Sequence, residues 1–320
     1  MNKIPMRDGY GKALLKLIGD GKPLMVLDAD VAKSTRTVWV RDQYPEHFLD
    51  MGIAEQDMVG TASGLALGGI IPFASTYGVF LAGRAWDQIR TTVCYNNLNV
   101  KLAGAHAGIS VGPDGATHQA LEDVALMRVL PNMTVVVPCD AVETEKATLA
   151  LAEREGPCYV RFGREAVPVI TDEDSPFEIG KANVLREGSD AVLFANGAMV
   201  YEGLEAAKQL AEEGISLMVV NLHTVKPLDE EAVLAAARKT GRVITAEEHQ
   251  AAGGMGSAVA ECLVQHYPVP MRILGMQDYF GESGGPEELM ERYGFNSGAI
   301  CRAVKDLVTP DNTQDETKEK

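Results

Sequence analysis

Met51-Gly-Ile-Ala-Glu-Gln56 opens a run that continues through Asp-Met-Val-Gly-Thr-Ala-Ser-Gly-Leu-Ala-Leu67. Its small and apolar residues predict a helix over 55–67 with a carboxylate, Glu55, in the first turn. An acidic group there suits the positive end of a helix, so a plain structural reading exists beside any chemical one. Working outward, residues 23–28, 100–104, 133–138 and 158–162 are short apolar runs bounded by Gly, Pro and Asp. Runs of that kind fit parallel strands covered on both faces. Helical stretches such as 55–67 and 121–129 fall between them, which is the alternation of α/β units.

A break follows. Residues 165–180 hold two prolines, the acidic cluster Asp172-Glu-Asp174 and no helical period, and read as an interdomain linker. A second α/β series then begins. Strands are predicted over 191–195, 216–221, 242–245 and 271–274, with helices over 200–213, 229–239 and 256–266 crossing between them. The expected architecture is two α/β domains, the first with a mostly parallel sheet. Their expected bounds are 1–170 and 186–310, with 171–185 as linker and the polar tail 311–320 disordered.

A length of 320 residues suits two ordinary domains, and 46% hydrophobic with 23% charged residues suits a globular protein. The formal net charge of −16 argues against nucleic acid as the main partner. No apolar run is long enough to span a membrane, and residues 1–8 lack the apolar core of a signal peptide. Cys94, Cys139, Cys158, Cys262 and Cys301 are scattered without CxxC spacing. They suggest reduced thiols and a cytoplasmic protein rather than a disulfide framework or a zinc site.

Several local motifs admit chemistry. Gly112-Pro-Asp-Gly-Ala-Thr-His-Gln119 sets Asp114 and His118 four residues apart in a glycine-rich loop. His106, in Ala103-Gly-Ala-His-Ala-Gly108, follows a predicted strand, and strand ends of open α/β sheets are where ligands bind. Tyr77 and Phe80 lie three apart, on one face if helical, and form either core or a platform for a flat ring. Glu247-Glu-His249 before Gly253-Gly-Met-Gly256 reads as a strand end and helix start, because no GxGxxG is present. His223 reads as structural.

These residues resemble those of a known family. Gly52-Ile-Ala-Glu-Gln56, Ser75-Thr-Tyr-Gly-Val-Phe80 and the loop from His106 to Gln119 are similar to transketolase motifs. They correspond to that family's catalytic glutamate, pyrimidine-stacking segment and histidine–glycine loop. Val225-Lys-Pro-Leu-Asp229 and Gly253-Gly-Met-Gly256 are similar to its C-terminal domain. The resemblance runs nearly end to end with the C-terminal half of transketolase, a pyrimidine-binding domain plus a C-terminal domain. The family's other half carries a Gly-Asp-Gly…Asn motif for the metal and diphosphate. Here Gly19-Asp-Gly21 lacks the Asn at that spacing and reads as a helix end and turn.

The resemblance implies a thiamin-diphosphate enzyme that moves a two-carbon ketol unit between sugar phosphates, such as from xylulose 5-phosphate. It also implies a separate N-terminal, diphosphate-binding subunit, two of each in an α2β2 heterotetramer, holding Mg2+ or Ca2+. Glu55 would bond N1′ of the aminopyrimidine, helped by a dry setting from Met51, Ile53, Ala54 and Met58. Tyr77 and Phe80 would hold that ring, and Asp30 would lie near the cofactor at the subunit interface. His118 would meet the reacting oxygen of the sugar, and Asp114 its C2 hydroxyl. Arg7, Ser34, His106 and Arg164 would converge on the sugar phosphate. Gly83 stands where the family often has a third aromatic. Two relatives stay open as alternatives: 1-deoxyxylulose-5-phosphate synthase and the beta subunit of a 2-oxo acid dehydrogenase.

Overall fold

The computed structural model describes residues 2–309. The expected disordered tail, 311–320, lies outside them. The strands in chain order are β1 (Lys3–Pro5), β2 (Leu24–Asp28), β3 (Phe48–Asp50), β4 (Ile71–Tyr77), β5 (Lys101–Ala105), β6 (Thr134–Val136) and β7 (Cys158–Arg161). They continue as β8 (Ala166–Pro168), β9 (Asn183–Arg186), β10 (Ala191–Ala195), β11 (Leu217–Asn221), β12 (Thr224–Lys226), β13 (Val243–Gln250) and β14 (Met271–Met276).

The first sheet has the order β12-β6-β7-β5-β4-β2-β3. Its pairs are parallel except β12 with β6. Every residue of β5 and β7 is buried, as expected of strands covered by helices on both faces. The helix Glu55–Leu67 packs along β4, and its expected bounds match those observed. The second sheet runs β14-β13-β10-β11-β9, parallel except for the edge strand β9.

Three features depart from expectation. The segment 165–180 is not structureless: β8 pairs antiparallel with β1 at the N-terminus. The backbone just after it is pinned to the first domain. Asp140 accepts from the N–H groups of Ile170 and Thr171 at 2.8 and 2.7 Å, while also capping the helix Ala141–Glu153. The stretch 171–185 ends inside β9. Finally, β12 comes from the second half of the chain yet closes the edge of the first sheet. Each depends on a pairing distant in sequence, which local pattern does not carry.

The helix Met6–Gly19 crosses Ala141–Glu153 very closely. A Cβ added at Gly9 would lie 1.9 Å from the Ala141 carbonyl oxygen, so only glycine permits this approach. The crossing fixes the turn that carries Arg7. Gly19-Asp-Gly21 is a helix end: the Gly21 and Lys22 N–H groups donate to the carbonyls of Ile18 and Leu17 at 2.9 and 3.0 Å. All five cysteines are free and buried. Among the described residues no helix is long and apolar enough to cross a membrane.

Candidate active site

The C-terminal ends of β2, β4, β5 and β7 lie side by side, and the candidate residues follow them. After β2, buried Asp28 accepts from Val31 N–H and from the hydroxyls of Thr35 and Thr37 at 2.7, 2.7 and 2.8 Å. Burial pushes its carboxyl up to about 6, against the pull of those donors. Asp28 thereby shapes the turn that presents Asp30, exposed and left-handed with φ 61°, and then Ser34.

Ser34 is a meeting point. Arg7 Nη1 donates to its carbonyl at 3.2 Å, and the Tyr77 hydroxyl donates to its Oγ at 3.0 Å. The Tyr77 ring stacks on His106, centroids 4.4 Å apart and planes 24° from parallel. His106 is 3% exposed and its Nδ1 has no partner; the buried Nε of Arg7 has none either. Burial, then the charges of Arg7, Arg164 and His118, lower the His106 imidazole to about 3, so it is neutral at pH 7. Burial and Arg36 likewise lower Arg7. Arg164 Nη1 donates to the Val111 carbonyl at 2.8 Å. Arg7, His106, Arg164 and His118 are thus gathered, with Glu165, 3.7 Å from Arg164 Nε, as the carboxylate paired with Arg164, an arrangement that an anion would stabilise.

Arg36 was not expected here. Its Nε donates to Asp8 at 2.6 Å. Its nearness in sequence to Ser34 was the available signal.

The carboxylate end differs from expectation. Glu55 is 1% exposed, but its setting is not simply apolar, and Ile53 points outward at 74% exposure. Arg84 Nη1 donates to both Glu55 oxygens, at 2.8 and 2.7 Å. The Arg84 guanidinium also lies over Phe80, 4.7 Å from the ring centroid. Tyr77 and Phe80 do not share a helical face. Tyr77 ends β4, and Phe80 sits in the first turn of the helix Gly78–Arg84. Their rings still approach to 6.1 Å.

His118 stands edge-on to Phe80 and Tyr77 at 5.2 and 5.9 Å, and its Nδ1 shares a hydrogen bond with the Thr117 hydroxyl at 2.9 Å. Asp114 is exposed in the same loop, and among the described residues no hydrogen bond or ion pair joins it to His118. Contacts link Glu55, Arg84, Phe80, His118 and Tyr77 in turn, and from Tyr77 they branch, to His106 by stacking and through Ser34 to Arg7; Asp30 and Arg164 stand outside this linked set.

The loop carrying His106 and His118 rests on the second domain. The Ser110 N–H donates to Glu248 Oε2 at 3.0 Å, and Gln119 Nε2 to the Glu282 carbonyl at 3.0 Å. Gly108 has φ 91°, and a Cβ there would lie 2.4 Å from a Glu248 carboxyl oxygen. The neighbouring Glu247 has a structural role: it accepts from the N–H groups of Met255 and Gly256 at 2.9 and 2.8 Å, capping a helix. His249 Nε2 accepts from Ala125 N–H at 3.2 Å. His223 stacks on Phe177, centroids 4.4 Å apart.

The residues fit a flat nitrogen heterocycle at one end and an anion at the other. A buried carboxylate beside an aromatic face suits the ring; the orphaned nitrogens of His106 and Arg7 suit the anion.

Comparison with known proteins points the same way. Residues 2–169 match the family model for the transketolase pyrimidine binding domain, and residues 180–300 that for the transketolase C-terminal domain. The 6-deoxy-6-sulfo-D-fructose transketolase subunit of Clostridium sp. (strain MSTE9) is 42% identical over 96% of this chain and 95% of its own. An apulose-4-phosphate transketolase subunit from Phocaeicola vulgatus is 38% identical over 96% of this chain and 98% of its own. A solved structure described as a split gene transketolase, inactive beta4 tetramer, superposes with a TM-score of 0.90 at 49% identity, covering 96% of this chain and 99% of that one. The chain belongs to the transketolase family and corresponds to the C-terminal subunit of a split transketolase.

Proposed function

We propose that this chain works with a separate diphosphate-binding subunit, as two of each, to move a two-carbon ketol unit from a ketose to an aldose. The observation that carries the reading is the linked set from Glu55 to Arg7, with a buried carboxylate at one end and a cation cluster at the other. Thiamin diphosphate, implied by the family, supplies when bound a carbon nucleophile able to cleave the bond beside a ketose carbonyl. The diphosphate and its Mg2+ or Ca2+ are assigned to the partner.

The chain's own residues then have distinct tasks. Glu55 holds a proton at N1′ of the aminopyrimidine, and its burial keeps water from competing for that position. Phe80 offers its face to the same ring, and Asp30 lies where the two subunits meet. Tyr77 fixes His106 by stacking and Ser34 by a hydrogen bond. His118 stands between ring and sugar, placed to exchange a proton with the sugar oxygen, while Asp114 meets the C2 hydroxyl from the loop. Arg7, Ser34, His106 and Arg164 hold the anionic end of the sugar. Planar guanidinium forks suit a phosphate or sulfonate, and a neutral imidazole adds one donor. The two relatives are named for a sulfosugar and a sugar phosphate, so an anionic ketose is the expected donor class, with xylulose 5-phosphate the first to try.

The test is a coupled assay of ketol transfer from xylulose 5-phosphate to ribose 5-phosphate with this chain, a diphosphate-binding subunit, thiamin diphosphate and Mg2+. Activity is expected only in the mixture. Substantial activity from this chain alone would overturn the split-subunit reading; pyruvate turnover with inert sugars would favour the 2-oxo acid dehydrogenase alternative. Within the active mixture, Arg164→Ala is expected to raise KM for the sugar about tenfold or more and to change kcat less. An unaltered KM would remove Arg164 from the anion clamp.

A further inference from the structure

Arg84 occupies the two contacts that the reading above gives to the cofactor's ring. Its guanidinium is flat and carries N–H donors in its plane. It reaches both Glu55 oxygens through Nη1, at 2.8 and 2.7 Å, and covers Phe80 at 4.7 Å. A ring stacked on Phe80 and bonded to Glu55 would need that same space.

We propose that Arg84 is the resident occupant of the pocket between Glu55 and Phe80, a stand-in for the aminopyrimidine that leaves when the ring arrives and so sets the cofactor's affinity.

Four observations support displacement. Glu55 is 1% exposed, and a buried carboxylate without a partner is costly, so a chain that folds before meeting its cofactor needs an internal cation there. Arg84 itself is 48% exposed, so its side chain can swing outward without unpacking the core. Its backbone is held independently of the guanidinium: the Arg84 carbonyl accepts from Gln56 Nε2 at 3.1 Å. Beside it, the space above the Gly83 Cα is open, with no atom within 4 Å of a built Cβ. The chemistry also separates the two occupants. A carboxylate paired with guanidinium acts as an acceptor on both oxygens, whereas a ring nitrogen asks for a donor.

This inference rests on the assignment of Glu55 to the ring, so the test separates the two. Thiamin diphosphate with Mg2+ is titrated into the two-subunit complex, and the dissociation constant is read by fluorescence or calorimetry. Arg84→Ala is expected to tighten binding about three- to tenfold, because the half-exposed ion pair and the cation–π contact no longer have to be broken. Arg84→Lys, which keeps a cation for Glu55, is expected to stay near the parent affinity. In the chain alone, Arg84→Ala should unfold at lower urea, and adding Glu55→Gln should restore much of that loss. Arg84→Gln serves the titration if the alanine variant folds poorly.

Weaker or unchanged cofactor binding by Arg84→Ala, while Glu55→Gln still slows hydrogen exchange at C2 of the cofactor, would overturn the stand-in alone. Exchange at the parent rate in Glu55→Gln would overturn the assignment of Glu55 and the stand-in together.

Discussion

Glu55→Gln is expected to slow proton exchange at C2 of thiamin diphosphate in the assembled enzyme by about two to four orders of magnitude. The amide keeps the shape of the side chain and its place at the start of the helix Glu55–Leu67. It cannot hold a proton shared with a ring nitrogen as a carboxyl group can. Deuterium exchange followed by quenched-flow NMR reads the step directly, apart from sugar binding and product release. Circular dichroism of the free chain should be unchanged, because Glu55 takes part in no helix cap bonded through its side chain. A variant exchanging at the parent rate would leave Glu55 as the structural partner of Arg84 and nothing more.

The second large effect concerns stability. Arg161 and Asp123 form an ion pair buried on both sides, with side chains 6% and 1% exposed. Arg161 Nε donates to both Asp123 oxygens at 3.1 and 3.0 Å, and the Tyr159 hydroxyl donates to the same carboxylate at 2.7 Å. Arg161 Nη2 donates to the carbonyls of Ala120 and Glu248, at 3.0 and 2.6 Å. Arg161→Met would leave the Asp123 carboxylate without its cation, take the Arg161 donor from the buried Glu248 carbonyl, and leave the Ala120 carbonyl with the Gly108 N–H alone. Breaking one partner of such a pair costs about 3–5 kcal/mol. Urea unfolding of the free chain should show that loss, and the double variant with Asp123→Asn should lose less than the sum of the singles. A single-variant change below about 1 kcal/mol, the range of an exposed pair, would mean that water reaches the pair in solution.

The helix Glu55–Leu67 was legible to its ends, because the acidic first turn and Gly68-Gly69 bracket an unbroken run of small and apolar residues. β2, β5, β6 and β7 were legible for a related reason: burial leaves an apolar run with sharp polar or glycine borders, whereas β4, between β5 and β2, was not read as a strand. Tyr77 and Phe80 show the limit of spacing. Three residues apart fits one helical face, yet a strand-to-helix junction brings the rings together as well. Arg84 was invisible because its partner lies 29 residues away, across a strand and two turns of chain direction. Nothing local marks a cation for a distant carboxylate. β12 was hidden in the same way: no strand was read over Thr224–Lys226, and nothing local ties those residues to the other domain's sheet.

The loop bearing His106 and His118 stands on Glu248 and Glu282, side-chain and backbone anchors supplied by the other domain. On the proposed assignment, contact residues held in the first domain are oriented by a domain that supplies none of them. A chimera that keeps residues 2–169 and receives a foreign second half would carry every proposed contact residue and still set them on a different floor. Recombination at the domain boundary, the natural place to cut, would then be a way of retuning the site without altering it.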